Sequence, residues 1–227
     1  MLIRICAALV MLIATGTASA QDISSDKDKL SYAVGWEFGA DLKRRNQEFD
    51  VEAVITALRD AVGDASPKVA VEEMRELLAA FQEKLRQEQL AAFQALAEEN
   101  RVKSEEYLNN NRSKTGIVVL ESGVQYRIIE EGDGARPGMD DTVEVHYRGS
   151  KMDGREFDSS FARGVPQTFK VSEVLLGWQE ILPLMKSGST WQIFVPPELA
   201  FGVRGQPPVG PNEALTFDIK LVQIITE

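Results

Sequence analysis

Five aromatic residues, Tyr147, Phe157, Trp178, Phe201 and Phe217, recur along the last third of a 227-residue chain. No nucleophile, metal-ligand cluster or phosphate loop accompanies them. They fall on separate expected strands, turns and a short helix, so only folding brings them around one concave apolar pocket. A pocket that is oily, aromatic and nearly free of titrating groups suits a reaction that moves no proton. Rotation about the peptide bond preceding proline is a reaction of that kind.

Other chemistries lack their residues. His146 is the only histidine and Cys6 the only cysteine, which removes zinc hydrolysis, histidine triads and thiol nucleophiles from consideration. His146 reads as a strand residue on the face opposite Tyr147, not as a base or ligand. Gly132-Asp133-Gly134 and the glycines around 202–210 match neither a Walker loop nor a dinucleotide fingerprint and read as turns. Asp158 stands out among the carboxylates because it follows Phe157 in a turn-rich stretch. It reads as a turn cap or an ion pair with Arg163, and either is compatible with a place at the pocket edge.

The elements that must position these residues divide at about 109–116, where NNNRSKTG reads as a polar linker. Beyond it, Gly, Pro and β-branched residues increase. Val143, Val145 and Tyr147 alternate with Glu144, His146 and Arg148; Trp191, Ile193 and Val195 alternate, as do Leu215, Phe217, Ile219 and Leu221. Asp153-Gly154 marks a hairpin turn. A short helix is expected over Gly177–Leu182, stopped near Pro183. The packing implied is a twisted antiparallel sheet wrapped on one short helix, an α+β arrangement.

Before the linker the chain reads as all helix. Leu30, Ala33, Val34, Phe38 and Leu42 recur at helical spacing, followed by Val51, Val54, Ile55, Leu58 and Val62. Ser66 and Pro67 read as the N-cap and first position of a third helix. It runs to about Asn109, a length of about 60 Å at 1.5 Å per residue. Val71, Met74, Leu78, Phe81 and Leu85 form its seam; past Gln89 the seam thins, and that half is expected to be solvated. The region has little protein to pack against. Two arrangements remain open: a second copy covers Tyr32, Trp36, Phe38 and Phe49 in a homodimer, or the helices form a self-contained three-helix bundle.

Residues 1–20 carry Arg4, an apolar run from Ile5 to Ala14, and Ala18-Ser19-Ala20, the layout of a secretory signal cleaved before Gln21. The alternative, a membrane anchor, has too short an apolar run. Cleavage would remove Cys6, leaving no disulfide, and would remove Arg4, making the net charge one unit more negative than −10. Such acidity disfavours nucleic acid and anionic membrane as partners.

The runs VHYRG, DGREFDSS, VLLGWQEILPLMKSGSTWQIFVPPELAFG and GPNEALTFDIKLVQI, in order from about Gly123 to Ile224, resemble the FKBP-type peptidyl-prolyl cis/trans isomerases. With GIVVLESGVQY and the helical N-terminal half, the chain is similar to the macrophage infectivity potentiator and FkpA-like branch. The resemblance implies residues 1–20 as signal, 21–112 as a helical dimerisation domain with a long connecting helix, and 113–227 as the FKBP-like isomerase domain. It implies a V-shaped homodimer acting on proline-containing polypeptides, in the periplasm or at the cell surface, with macrolides as inhibitors and neither cofactor nor metal.

Carried over by motif, Tyr147, Phe157, Asp158, Val174, Leu175, Trp178, Phe201 and Phe217 would line the proline pocket. Trp178 would form its floor, Val174 and Leu175 its rim, the Leu175 N–H would donate to the bound chain, and Arg163 would orient Asp158. One position departs: the family usually has Tyr where this chain has Phe201, which lacks the hydroxyl that bonds a ligand carbonyl. Reduced turnover and weaker macrolide binding are expected. A reading of another class, a dimeric holdase with incidental isomerase activity, is separated from the enzyme by assay on a short proline peptide. A scaffold with a degenerate pocket is the third reading.

Overall fold

The computed structural model describes residues 22–44 and 49–225; the expected signal and its cleavage site lie outside them. Contacts divide the chain into two units, residues 1–74 and 75–227. In the first, α1 spans Asp26–Arg44 and α2 spans Val51–Val62. Asp50 caps α2 by accepting from the Glu52 and Ala53 N–H groups, which satisfies two donors that a helix start otherwise leaves open. Neither helix buries a residue among those described, and Trp36 is 64% exposed. The apolar periodicity is present, yet the described residues of this unit form no core of their own.

Helix α3 begins at Val71, not at the expected Ser66-Pro67; its first bond runs from the Met74 N–H to the Ala70 carbonyl. It continues to Arg112, so half of the expected linker is helix. The expectation that its far half is solvated holds for most of its positions and fails at three. Asn100, Ser104 and Asn111 are buried there, the first two hydrogen-bonded to the loop at Pro211 and Asn212 and the third to Gln125. Apolar spacing could not reveal a face that docks through polar side chains.

The sheet has order β1-β2-β6-β7-β3-β4, with β5 also on β3, and every pairing is antiparallel. The strands are β1 (Val118–Val119), β2 (Gln125–Glu130), β3 (Thr142–Lys151), β4 (Glu156–Ser159), β5 (Gln167–Lys170), β6 (Thr190–Val195) and β7 (Leu215–Ile225). Between them lie two short helices, α4 (Ser160–Arg163) and α5 (Leu176–Ile181). Alternation holds as expected on the neighbouring strands β3 and β7, where Val143, Val145 and Tyr147 share one buried face of the sheet with Leu215, Phe217, Ile219 and Leu221. On β6 it fails at Phe194, which is buried on the other face because Tyr107 of α3 covers it at a ring distance of 6.2 Å. Helix α5 packs into the concave side, followed by a 3-10 turn at Leu182–Leu184 that contains Pro183.

Candidate active site

The pocket is built on β3. Tyr147 and Gly149 lie two residues apart and so face the same side. Gly149 has no side chain there, and a Cβ would stand 2.6 Å from Phe157 Cζ and 2.9 Å from Phe217 Cε1. Glycine is what lets those two rings lie over the strand. Phe217 reaches the site from β7, where it is Gly149's register partner, and Phe157 comes from β4.

Trp178 arrives on α5, which approaches the sheet closely because Gly177 meets Val195 where a Cβ would fall within 2.5 Å. Trp178 is almost fully buried and stands in edge-to-face contact with its neighbours: Tyr147 at 5.4 Å and 78°, and Phe217 at 5.3 Å and 89°. Phe157 meets Phe217 at 5.8 Å and 84°. Edge-to-face contacts bring the positive edge of one ring to the negative face of another, so these packed rings hold one another's orientation.

Together these residues enclose a cavity of about 190 Å³, lined by Tyr147, Phe157, Asp158, Phe169, Glu173, Val174, Leu175, Trp178, Phe201 and Phe217. Every residue expected to line the pocket is there. Arg163, expected to bind substrate and orient Asp158, is not among the lining residues and pairs with Asp158. Two residues were missed. Phe169 sits on β5, a strand of four residues that is too short for its alternation to be read, and Glu173 lies in the 3-10 turn Val171–Glu173.

The polar wall is closed on itself. Tyr147 Oη donates to Asp158 Oδ2, Arg163 donates to Asp158 Oδ1, and Arg163 also donates to Tyr147 Oη at 3.0 Å. Helix α4 turns the chain back so that Arg163 meets Asp158. Ser159 caps its start by accepting from the Ala162 N–H, and Gly164 ends it in the left-handed region. Burial pushes the Asp158 carboxyl up, but the Tyr147 and Arg163 hydrogen bonds outweigh it and hold it below the ordinary carboxylate value. Burial and the Asp158 carboxylate push the Tyr147 phenol up. At neutral pH the carboxylate is charged and paired, and the phenol is protonated.

The rim is held from α5. Gln179 Nε2 donates to the carbonyls of Ser172, at 3.1 Å, and Val174, at 2.8 Å. The Leu175 carbonyl accepts from the Trp178 and Gln179 N–H groups, while the Leu175 N–H donates to no described residue.

The chain matches two family models, the domain amino terminal to FKBP-type peptidyl-prolyl isomerase over residues 27–128 and the FKBP-type peptidyl-prolyl cis-trans isomerase over 134–222. It is 43% identical to the outer membrane protein MIP of Legionella longbeachae, covering 95% of this chain and 93% of that protein. This chain belongs to the FKBP-type peptidyl-prolyl cis-trans isomerases. The isomerase is also 36% identical to the peptidyl-prolyl cis-trans isomerase Mip of Coxiella burnetii, over 94% of each chain. The crystal structure of FkpA from Escherichia coli superimposes with a TM-score of 0.73 at 32% identity, covering 89% of this chain and 98% of that one. The isomerase therefore has the FKBP fold preceded by the family's helical region. Its reaction is the cis-trans interconversion of peptidyl-prolyl bonds, and the relatives' names give the holdase reading no added support.

Proposed function

We propose that the ring-lined cavity is where the isomerase grips proline, with the pyrrolidine ring on the face of Trp178. The observation that carries this reading is the convergence of Tyr147, Phe157, Phe169, Phe201 and Phe217 with Trp178 on one cavity whose lining carboxylate, Asp158, is already paired with Arg163 at the exposed edge. The barrier to rotation is about 18–20 kcal/mol because twisting removes amide resonance. The planar amide is more polar than the twisted one, so a dry aromatic site disfavours the ground state more than the transition state. Fixing the ring while the preceding carbonyl swings adds orientation. The Leu175 N–H is free to take a carbonyl of the bound chain. No proton changes owner, because the Tyr147 hydroxyl and the Asp158 carboxylate are engaged with each other and with Arg163.

The test is turnover on a short proline-containing peptide by the chain starting at Gln21, with and without Trp178→Ala. Full activity in the variant would remove the floor from the mechanism. A fall to the spontaneous rate, with the fold retained by circular dichroism, is the expected result. Macrolides would occupy the same cavity, held less tightly for want of a hydroxyl at Phe201.

Residues 113–227 carry catalysis in this reading, and 21–112 carry dimerisation and the connecting helix. The exposed Leu30, Tyr32, Trp36 and Phe38 on α1 support a second copy as their cover. Solution mass by light scattering, for the native chain and for Trp36→Ser, tests that assignment. Residues 1–20 direct the chain to the periplasm, where it assists the folding of envelope proteins; cell fractionation and N-terminal sequencing at Gln21 check both location and cleavage.

A further inference from the structure

Phe201 begins a loop, Gly202 to Ala214, that leaves the pocket and makes no ladder pair with the seven-stranded sheet before β7. The Asn212 N–H closes the loop on itself by donating to the Gly202 carbonyl at 3.0 Å, directly beside Phe201. Glu213 accepts from the Gly210 N–H at 2.7 Å and pairs with Lys151 of β3 at 3.2 Å, and further partners come from α3. Asn212 Nδ2 donates to the Ala97 carbonyl at 3.1 Å, and Asn100 Nδ2 donates to the Pro211 carbonyl at 2.8 Å. Ser104 Oγ donates to the Asn212 carbonyl at 2.8 Å and accepts from the Ala214 N–H at 2.8 Å.

Ala97, Asn100 and Ser104 are spaced by three and four, so one face of the helix grips the backbone at Pro211, Asn212 and Ala214 together with the Asn212 side chain. The grip is close: a Cβ on Gly210 would come within 2.9 Å of Asn100 Nδ2. Asn212 itself sits at φ 51°, a conformation that Asn tolerates better than most residues. Ser104 is 1% exposed, so its bonds are shielded from water.

We propose that Asn100, Ser104 and Asn212 are positioning residues for catalysis: through them α3 fixes the Gly202 end of the loop and hence the Phe201 wall. The long helix is then a working part of the isomerase site as well as a connector. This rests on the reading of Phe201 as a wall of the prolyl pocket.

The test is a double-mutant cycle in the full chain, with kcat and KM measured separately on a proline peptide. Asn212→Gly keeps the backbone conformation accessible and removes the side-chain bond to Ala97. It is expected to lower kcat/KM about fivefold, the equivalent of one net hydrogen bond of about 1 kcal/mol. In a Phe201→Ala background the same change is expected to have no further effect, because there is no ring left to position. Asn100→Ala should behave in the same way and guards against a folding defect peculiar to position 212. Equal losses in both backgrounds would mean a general structural role and overturn the proposal, as would no loss from either variant. Full turnover by Phe201→Ala alone would overturn it together with the pocket reading on which it stands; loss in that variant with additive effects sinks only the positioning role.

Discussion

Replacing Gly149 with alanine adds one methyl group to the most crowded point of the pocket. The new carbon would lie 2.6 Å from Phe157 Cζ, 2.9 Å from Phe217 Cε1 and 3.0 Å from Phe157 Cε2. Carbon atoms pack at about 3.5–4.0 Å, so the rings must retreat by about 0.5–1 Å. Phe217 has little room to do so, since it is 3% exposed and wedged between Trp178 at 5.3 Å and Phe157 at 5.8 Å. Phe157 is only half-buried and must give way, which moves a wall of the cavity. Overpacking of this kind costs about 1–3 kcal/mol. If the same strain opposes formation of the ring-lined transition-state complex, kcat/KM falls about tenfold or more, since tenfold corresponds to about 1.4 kcal/mol. The assay pairs thermal melting, where each kcal/mol is worth about 2–4 °C at this size, with turnover on a proline peptide. A Gly149→Ala chain that melts and turns over like the parent would refute the claim that ring packing sets the shape of the site.

Phe201→Tyr restores a hydroxyl at the pocket wall and is expected to raise kcat/KM by about two- to tenfold, since a neutral hydrogen bond is worth about 0.5–1.5 kcal/mol; macrolide affinity measured by calorimetry should rise with it. Asn111→Ala leaves the fully buried Gln125 Oε1, which accepts from Asn111 at 3.0 Å, without that donor. Urea unfolding should show a loss of about 1–3 kcal/mol. Because the folded Asp158 carboxyl lies below its ordinary value, its contribution to stability is complete above the unfolded pKa and is lost as pH falls through the folded one. Acid melting curves of Asp158→Asn should therefore converge with those of the parent below the carboxylate range, and curves that diverge there would contradict the assigned direction.

How much could be read from the residues depended on whether burial was apolar. Tyr147, Phe217 and Trp178 announce themselves because β3 and β7 alternate and α5 carries Trp178 and Ile181 inward at helical spacing. The five rings are readable as one pocket from their type and placement, whereas the places of Val174 and Leu175 come from the family resemblance, since nothing local says that Val174 and Phe201 meet. Phe169 escaped because one residue on a four-residue strand has no period to display. The docking of α3 escaped for a different reason. Its buried positions are Asn100, Ser104 and Asn111, and their partners at Pro211, Asn212 and Gln125 are distant or lie across a turn. Hydrophobic patterning registers transfer from water, and a polar side chain satisfied by a remote carbonyl leaves no such mark. The start of α3 moved to Val71 because a Ser-Pro pair permits a helix start without compelling one.

Strand β7, the last of the described strands, lies in the interior of the sheet, joined to β6 on one side and β3 on the other. Without it the two halves of the sheet share no ladder and Phe217 is absent from the cavity. A nascent chain, made amino end first, consequently has no assembled ring-lined cavity until this strand is free. Any premature stop upstream of residue 215 would leave a chain able to make helices but unable to turn over a single proline.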